Sequence, residues 1–222
     1  MNLTFYDRYT GVIHYYMIHT LNRLGNPDTL SLDPMVTYDI GLQTIPPIRI
    51  DSVRLVAGRH NTIEVDAAQG YLYIRTRRGN AYDNEQVLVK RAGEQELVNI
   101  QEMGTLDKYL VGSYDLLIPI FPVMEIHGVE IAQRNTTTVE IPAPGYVTFS
   151  GQHPGSGALY QLNEDGNQLW VLNLKSHVNK QSYHLQPGTY RVVFRRNDLK
   201  ATDFTVVKDF SIDPGDTETV AF

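Results

Sequence analysis

Apolar and polar residues alternate over short stretches along most of this chain. The alternation is clear in YLYIR at 71–75, in TVEI at 138–141 and in YRVVF at 190–194. A period of two over four to eight residues indicates a β-strand with one buried face. Clusters of Gly, Pro, Asn and Asp separate these runs, so strands are predicted about every 8 to 12 residues, which is typical of an all-β fold.

Two stretches of the sequence predict hairpins, and a helix is the alternative for the second of them. The sequence NEDGN at 163–167 predicts a hairpin turn, because Asp-Gly is favoured where both central residues of a type I′ turn need a positive φ. The segment 11–25, GVIHYYMIHTLNRLG, is long enough for a helix that Gly25 would cap. Its β-branched and aromatic residues, and the strands predicted at its counterpart 157–174, favour strands. We therefore predict a hairpin within 11–25.

One turn-and-strand element recurs at a constant interval. It reads VTYDIGL, GSYDLLI and GTYRVVF, and its tyrosine recurs every 76 residues, at Tyr38, Tyr114 and Tyr190. Each copy is followed by an apolar strand that leads into a Thr-rich strand, at 53–65, 129–141 and 210–222. Self-similarity at a fixed period is the signature of repeat architectures.

The period predicts three tandem small β-sandwich repeats of about 75 residues, each with six or seven strands. Their expected boundaries are 1–70, 71–145 and 146–222, so we expect three complete repeats. In this alignment three short strands correspond to one another: NLTF at 2–5, YLYI at 71–74 and YVTF at 146–149. The junctions, AAQGY at 67–71 and PAPGY at 142–146, are too short for flexible linkers, so we expect a fixed, elongated or curved row of sandwiches.

The repeated tyrosine is predicted to be structural. A tyrosine just after a tight turn inserts its ring between the sheets of a sandwich while its hydroxyl bonds a nearby backbone group, as in a tyrosine corner. We therefore expect Tyr38, Tyr114 and Tyr190 to be buried core residues.

The third repeat resembles two groups of known modules. The strings LQPGTYRVVF at 185–194 and FSIDPGDTETVAF at 210–222 are similar to PEGA and transthyretin-like (carboxypeptidase regulatory-like) β-sandwich modules. Through DPMVTYDI at 33–40, YLVGSYDLLI at 109–118, TTTVEIPAPGYVTF at 136–149 and LQPGTYRVVF at 185–194, the whole chain also resembles the β-repeat region C-terminal to the von Willebrand factor A domain in some bacterial exported proteins. That resemblance implies a β-sandwich array of the cell envelope. It implies no metal-dependent adhesion here, since the chain has no Asp-x-Ser-x-Ser sequence.

Composition limits the partners. The chain has 222 residues, 42% hydrophobic and 20% charged, with a net charge of -6 and no cysteine. The negative charge argues against nucleic acid as a partner, because phosphate binding depends on Lys and Arg. The longest apolar run, 116–124, contains two prolines and is far shorter than the roughly 20 residues that span a bilayer, so no membrane insertion is expected. The start of the chain does not read as an export signal.

Searches for catalytic, cofactor or metal residues yield none, so we expect no enzyme and no cofactor. The seven histidines show no spacing typical of a zinc site: 14, 19, 60, 127, 153, 177 and 184. NEDGN resembles a calcium loop but has no glutamate at the twelfth position. One polar residue recurs after an apolar one, as a ligand contact or, more simply, as a side chain bonded to a turn backbone: Asn22, Asn99 and Asn173.

Two functional classes remain open. In the first, the chain is a non-catalytic stalk, spacer or protein-interaction segment of a larger cell-envelope or exported protein, with a protein partner or a covalently linked upstream domain. A cytoplasmic location is the alternative. In the second, it binds carbohydrate or peptide on exposed rings, with Tyr71 and Tyr73 on one strand and a candidate platform of four further rings: Tyr82, Tyr160, Trp170 and Tyr183. The strand TTTVEI at 136–141 is a further candidate, as an edge that pairs with a partner strand.

Overall fold

The computed structural model describes residues 1–21, 23–27, 29–79, 81–176, 180–198 and 205–222. These residues form eighteen β-strands in five sheets and no helix, so the predicted all-β class is confirmed. By their internal contacts they separate into two compact units: Met1–Leu72 with Asp107–Ser113 and Glu130–Thr137, and Tyr73–Leu106 with Tyr114–Val129 and Thr138–Phe222. Asn22 and His177, which the sequence analysis singled out, lie outside the described residues.

The first sheet is built from four strands: β1 (Asn2–Asp7), β2 (Ile13–Ile18), β3 (Tyr38–Leu42) and β4 (Ile48–Val53). Its order is β2-β1-β3-β4, and all three pairings are antiparallel.

The next seven strands are β5 (Gln69–Thr76), β6 (Gln86–Arg91), β7 (Leu97–Glu102), β8 (Leu106–Leu110), β9 (Gly112–Ile118), β10 (Met124–Ile131) and β11 (Thr136–Ile141). They form a four-stranded sheet of order β10-β9-β6-β7 and a three-stranded sheet of order β11-β5-β8.

The last seven strands are β12 (Gly145–Ser150), β13 (Gly155–Leu162), β14 (Gln168–Leu174), β15 (Lys180–Leu185), β16 (Gly188–Arg196), β17 (Thr205–Ile212) and β18 (Thr217–Ala221). Their sheets have the orders β14-β13-β16-β17 and β15-β12-β18. The central strand β12 runs antiparallel to β15 and parallel to β18.

The same four-stranded sheet therefore occurs three times, with the repeated tyrosine on its third strand in chain order. The three-stranded sheet occurs twice, with β5 or β12 at its centre. Two details of the sequence alignment are wrong. The strand that contains NLTF, β1, holds the place of β6 and β13 instead of that of β5 and β12. The described part of residues 1–68 has four strands, not six or seven, and its predicted Thr-rich strand lies in an irregular segment, 54–68.

The hairpins predicted within 11–25 and at 163–167 have different outcomes. Residues 13–18 form a strand, as the β-branched and aromatic content indicated, but the strand pairs with β1 and not within 11–25. The hairpin at NEDGN is present: Asn163 N–H donates to Asn167 O at 3.1 Å, and β13 pairs with β14 across it. Of its two central residues only Gly166 has a positive φ, +79°, so the predicted type I′ geometry is wrong.

The apolar cores differ in size between the first and the last sheets. In the last third of the chain a cluster of twelve buried residues fills the interior, including Phe149, Tyr190 and Phe194. Around the first sheet only four hydrophobic residues of the described chain are buried: Phe5, Tyr38, Ile40 and Leu42. They are covered by partly buried residues of two irregular segments: Leu32, Val36, Leu55, Val65 and Ala67.

Candidate functional site

The three repeated tyrosines are core residues. The side chains of Tyr38, Tyr114 and Tyr190 are fully buried. The Tyr190 hydroxyl donates to the carbonyl of Gln186 at 2.5 Å, four residues before it in the chain. The Tyr38 hydroxyl accepts from Asp33 N–H at 3.2 Å. The hydroxyls of Tyr38 and Tyr190 thus each bond the loop that precedes their strand, as expected of a tyrosine corner.

A polar depression lies over one end of the first sheet. It is open, measures about 520 Å³, and is lined by Arg8, Tyr9, Asp39, Arg49 and Asp51. Asp39 lies at its centre with its carboxylate buried between the two arginines, 2.9 Å from Arg8 Nη1 and 2.8 Å from Arg49 Nη2. Arg49 Nε also lies 3.0 Å from Asp51 Oδ1. Two positive and two negative groups therefore neutralise one another.

These contacts make Asp39 a poor proton acceptor. Hydrogen bonds from Arg49 and from the backbone N–H of Ser52 hold the pKa of Asp39 well below its ordinary value. A general base works best when its pKa is near the operating pH. The geometry instead suits a structural ion cluster, which fixes the bulge between β3 and β4 where Ser52 adopts a φ of +63°.

The aspartate after the tyrosine has the same role in the second repeat. Asp115 follows Tyr114 as Asp39 follows Tyr38, and its Oδ1 accepts from Gly128 N–H at 2.9 Å. In the first repeat the corresponding bond runs from Ser52 N–H to Asp39 Oδ1, also at 2.9 Å. Gly128 also has a positive φ, +68°. The recurring carboxylate is therefore a cap for a left-handed residue of the next strand.

A backbone hydrogen bond that links successive repeats occurs twice with the same N···O distance. The N–H of Leu110, at the end of β8, donates to the carbonyl of Ile45 at 2.7 Å. The N–H of Gln186, just after β15, donates to the carbonyl of Phe121 at 2.7 Å. In both bonds the donor and the acceptor lie 65 residues apart in the sequence. The second bond lies 76 residues further along the chain than the first, which is the repeat period. We call this pair of contacts the repeat joints.

Side chains reinforce the second repeat joint. Gln186 Nε2 donates to the Tyr82 hydroxyl at 2.7 Å, and both side chains are buried. Burial raises the pKa of Tyr82 to about 12. Phe121 packs edge-on against Tyr183, with ring centroids 6.1 Å apart. In the first joint a second backbone bond has this role, from Val111 N–H to Ala68 O at 2.9 Å.

The four candidate platform rings do not form one surface. Tyr82 is buried in the second joint, and Tyr183 packs against the core of the third repeat. Tyr160 is half-buried and lies opposite Trp170 across β13 and β14. Of the four rings only that of Trp170 is exposed, with 61% of its surface accessible to solvent. Tyr71 and Tyr73 are both half-buried on β5.

The remaining candidates are dispersed. The six histidines in the described ranges are all exposed, and no three His, Asp or Glu side chains there are arranged to hold a metal ion. Asn99 and Asn173 lie on strands β7 and β14, and Asn173 Oδ1 accepts from the Trp170 indole at 3.1 Å. The strand β11, which contains TTTVEI, does lie at a sheet edge.

Sequence reasoning missed the joints and the capping aspartates, although both leave a signal. The 76-residue period that relates the tyrosines also relates Leu110 to Gln186 and Pro46 to Pro122, the residue after each joint carbonyl. Likewise, an aspartate follows the tyrosine in two repeats, with Arg191 in the third. The joints use backbone groups, which leave no recurring functional side chain in the sequence.

Comparisons with known proteins give no family. No family model matches the chain, and no curated protein matches it. Among solved structures, the Bacillus anthracis TIE protein is 11% identical with a TM-score of 0.27, over 100% of this chain and 47% of that one. The minor pilin GBS52 of Streptococcus agalactiae is 8% identical with a TM-score of 0.33, over 70% of this chain and 94% of that one.

The pilus adhesin SpaC of Lactobacillus rhamnosus GG is 10% identical with a TM-score of 0.23, over 96% of this chain and 35% of that one. This chain thus spans about half the length of the TIE protein structure. As a further structural fact, the described residues include no helix long and apolar enough to cross a bilayer.

Proposed function

We propose that this chain is a non-catalytic repeat module, a spacer or protein-interaction segment of a larger cell-envelope or exported protein. The observation that carries the proposal is the recurrence of the repeat joint at the same two positions of the period. The bond joins the same two segments of successive repeats each time, 45 to 110 and 121 to 186. A contact that recurs in this way is what we expect of a spacer, which keeps the domains on either side of it at a set distance.

The best-formed polar cluster supports the same function. Asp39 is ionised and held by Arg8, Arg49 and the Ser52 amide, so its contacts go to folding and not to a reacting group. The small depression between Phe149, Phe194 and Phe222 measures about 10 Å³, at the lower limit for one water molecule. An ion cluster that stabilises the fold and a depression too small for a ligand are both typical of a structural protein.

The test uses the native polypeptide from its source cells, captured with an antibody against this chain and measured by intact mass and N-terminal sequencing. We expect a polypeptide larger than 25.2 kDa, in the envelope fraction or the culture fluid, that carries further domains. A product of this size in the cytosol would contradict the envelope spacer.

A peptide or carbohydrate ligand is the second candidate function, and one observation favours it. The Trp170 indole is exposed, and its N–H is held by Asn173 on the same edge strand. An exposed, oriented indole can stack on a sugar face or a peptide side chain. Quenching of the fluorescence of the single tryptophan by a glycan, with binding of that glycan measured by calorimetry and lost in Trp170→Phe, supports this candidate; no change with any glycan removes it.

A further inference from the structure

Four side chains lie opposite one another across the third four-stranded sheet. Trp170 on β14 pairs with Tyr160 on β13, and Tyr160 pairs with Arg191 on β16. Arg191 in turn pairs with Asp209 on β17. The four residues therefore cross the whole sheet, a distance of about 14 Å at the usual spacing of about 4.8 Å between strands. We call Trp170, Tyr160, Arg191 and Asp209 the cross-strand row.

The cross-strand row lies on the face of the sheet that points away from the core. On β16 the alternate residues are buried: Tyr190, Val192 and Phe194. Since successive side chains of a strand point to opposite faces, Arg191 lies on the outer face. The indole of Trp170 is exposed at one end of the row, and its N–H donates to Asn173 Oδ1 at 3.1 Å. This hydrogen bond holds the ring in one orientation.

The other end of the row is a bidentate ion pair. Arg191 Nε lies 2.7 Å from Asp209 Oδ1, and Arg191 Nη2 lies 2.7 Å from Asp209 Oδ2. The hydroxyl oxygens of Thr189 and Ser211, 3.3 Å apart, are the next pair on the same face. A guanidinium has more N–H donors than this ion pair uses, and each carboxylate oxygen has a second lone pair. Donors and acceptors therefore lie side by side here, and the two charges cancel.

The corresponding row has a structural role in the other two repeats. Its members there are cross-strand partners in the same order: Ile13, Tyr6 and Asp39 in the first repeat, and Leu97, Lys90 and Asp115 in the second. Asp39 and Asp115 each accept from the backbone N–H of a left-handed residue, Ser52 or Gly128. In both repeats the carboxylate of the row thus caps a turn of the next strand.

The third repeat has an ion pair in place of this cap. Arg191 follows Tyr190 as the capping aspartates follow their tyrosines, and Asp209 stands before 210–222 at the place of the capped residue. The strands β16 and β17 pair from Gly188 to Arg195 without a shift in register, so no bulge there needs a cap. An exposed ion pair contributes little to stability. The fold therefore does not account for the pair, and its polar groups are available to a ligand.

We propose that the cross-strand row binds a neutral oligosaccharide, which lies across the strands with a sugar ring on Trp170 and hydroxyl groups on Arg191 and Asp209. The apolar C–H face of a sugar can stack on an aromatic ring, and its hydroxyl groups both donate and accept. A neutral ligand fits because the ion pair carries no net charge. A protein partner fits less well, because charged residues are depleted at the centre of protein interfaces.

This site rests on the second candidate function, a ligand at Trp170, and names the class of that ligand and the groups that bind it. The spacer does not depend on it, because no member of the row belongs to a repeat joint.

The test titrates the full 222-residue chain with neutral oligosaccharides and follows the fluorescence of its single tryptophan. The probes differ in sugar and linkage: cello-, laminari-, xylo-, manno-, malto- and chito-oligosaccharides. We expect at least one of them to quench Trp170, and we expect calorimetry with that probe to give one site per chain.

Three variants, measured by calorimetry with the same probe, locate the site. Trp170→Ala should abolish binding. Asp209→Asn should weaken binding about tenfold, because an acceptor that carries a charge is replaced by a neutral amide. Leu97→Ala is the matched control, since Leu97 holds the place of Trp170 in the second repeat, and it should leave binding unchanged. All three side chains are exposed, so the variants should fold.

Four outcomes overturn the proposal. No quenching by any oligosaccharide removes the glycan, and quenching by neutral proline-rich peptides alone assigns the face to a peptide. Binding that Asp209→Asn leaves unchanged keeps a ligand at Trp170 but removes the cross-strand row as its site. Binding that is absent in the native polypeptide from its source cells shows that another part of that polypeptide covers the row. None of these outcomes affects the repeat joints, so the spacer is tested separately.

Discussion

The backbone N–H of Gln186 donates to the carbonyl of Phe121 at 2.7 Å, and Leu110 makes the same bond to Ile45 one period earlier. A contact that recurs in register between backbone groups is less sensitive to side-chain substitution than a packing contact. It therefore explains how the joint persists although the joint residues themselves differ, Leu and Ile in one and Gln and Phe in the other.

Removal of the Tyr82 hydroxyl tests the side-chain part of the second joint. Tyr82→Phe leaves the buried Gln186 Nε2 without its acceptor, and an unsatisfied buried donor costs about 1–3 kcal/mol. We expect a loss of that size in chemical denaturation. Tyr160→Phe, a half-buried tyrosine of the same unit, is the control and should change stability little. Equal losses for the two variants would contradict the assignment.

Two substitutions at Tyr190 separate the contribution of the ring to stability from that of the hydroxyl. Tyr190→Phe removes only the hydroxyl that bonds the buried Gln186 carbonyl, and a buried acceptor left without its donor should cost about 1–3 kcal/mol. Tyr190→Ala also empties a fully buried site and should cost about 3–5 kcal/mol. The measurement is the free energy of unfolding of both variants. A Tyr190→Ala protein that melts within a degree or two of the wild type would show that the ring is not part of the core.

The junction glycine of the third repeat has no room for a side chain. In Gly145→Ala the new Cβ would meet the Ile212 side chain and the Asp213 carbonyl, and overpacking of this kind costs about 1–3 kcal/mol. Gly151→Ala is the control, because its Cβ would make only ordinary contacts with His153 and Phe222. Thermal unfolding should separate the two variants, and equal melting temperatures would refute the close approach.

The ion cluster of the first sheet should weaken in acid. Because the pKa of Asp39 is lowered in the folded chain, the unfolded chain takes up the proton first as the pH falls. The stabilisation is therefore complete above about pH 4, the ordinary value of an aspartate, and decreases as the pH falls below it. Asp39→Asn should lower the melting temperature at pH 7, and its deficit should shrink toward pH 3.

An exposed aspartate provides the control for this pH dependence. Asp216 lies in a turn before β18, and its side chain makes no described hydrogen bond. Asp216→Asn should follow the wild-type melting curve at both pH values. A deficit for Asp39→Asn that stays constant between pH 7 and pH 3 would show that the charge of Asp39 does not stabilise the fold.

How much of this fold can be predicted from the sequence depends on the range of the interaction. Alternation and turn residues predict the strands around Tyr114 and Tyr190 and the hairpin at 163–167, because these features are local. Pairing order is not local. The strand β1 looks like β12 in sequence, yet hydrogen bonding places it beside β3, in the position of β13.

The candidate sites show the same limit. The tyrosine corner was predictable because ring and loop are close in sequence, four residues apart at Tyr190 and Gln186. The second joint was not, because Tyr82 meets Gln186 across 104 residues. From the sequence Tyr82 was a candidate exposed ring; only the fold shows that it is buried. The sequence around a tyrosine does not show whether a residue distant in the chain covers its ring.

The distance across the second joint tests the spacer most directly. Since the chain has no cysteine, Glu102→Cys and Glu218→Cys, both exposed, allow two spin labels to be attached, one in each of two successive repeats. Double electron–electron resonance should give one narrow distance distribution, and a Gly-Ser insertion at 142–145 should broaden it. A distribution as broad in the wild type as in the insertion variant would contradict a joint that sets a fixed spacing.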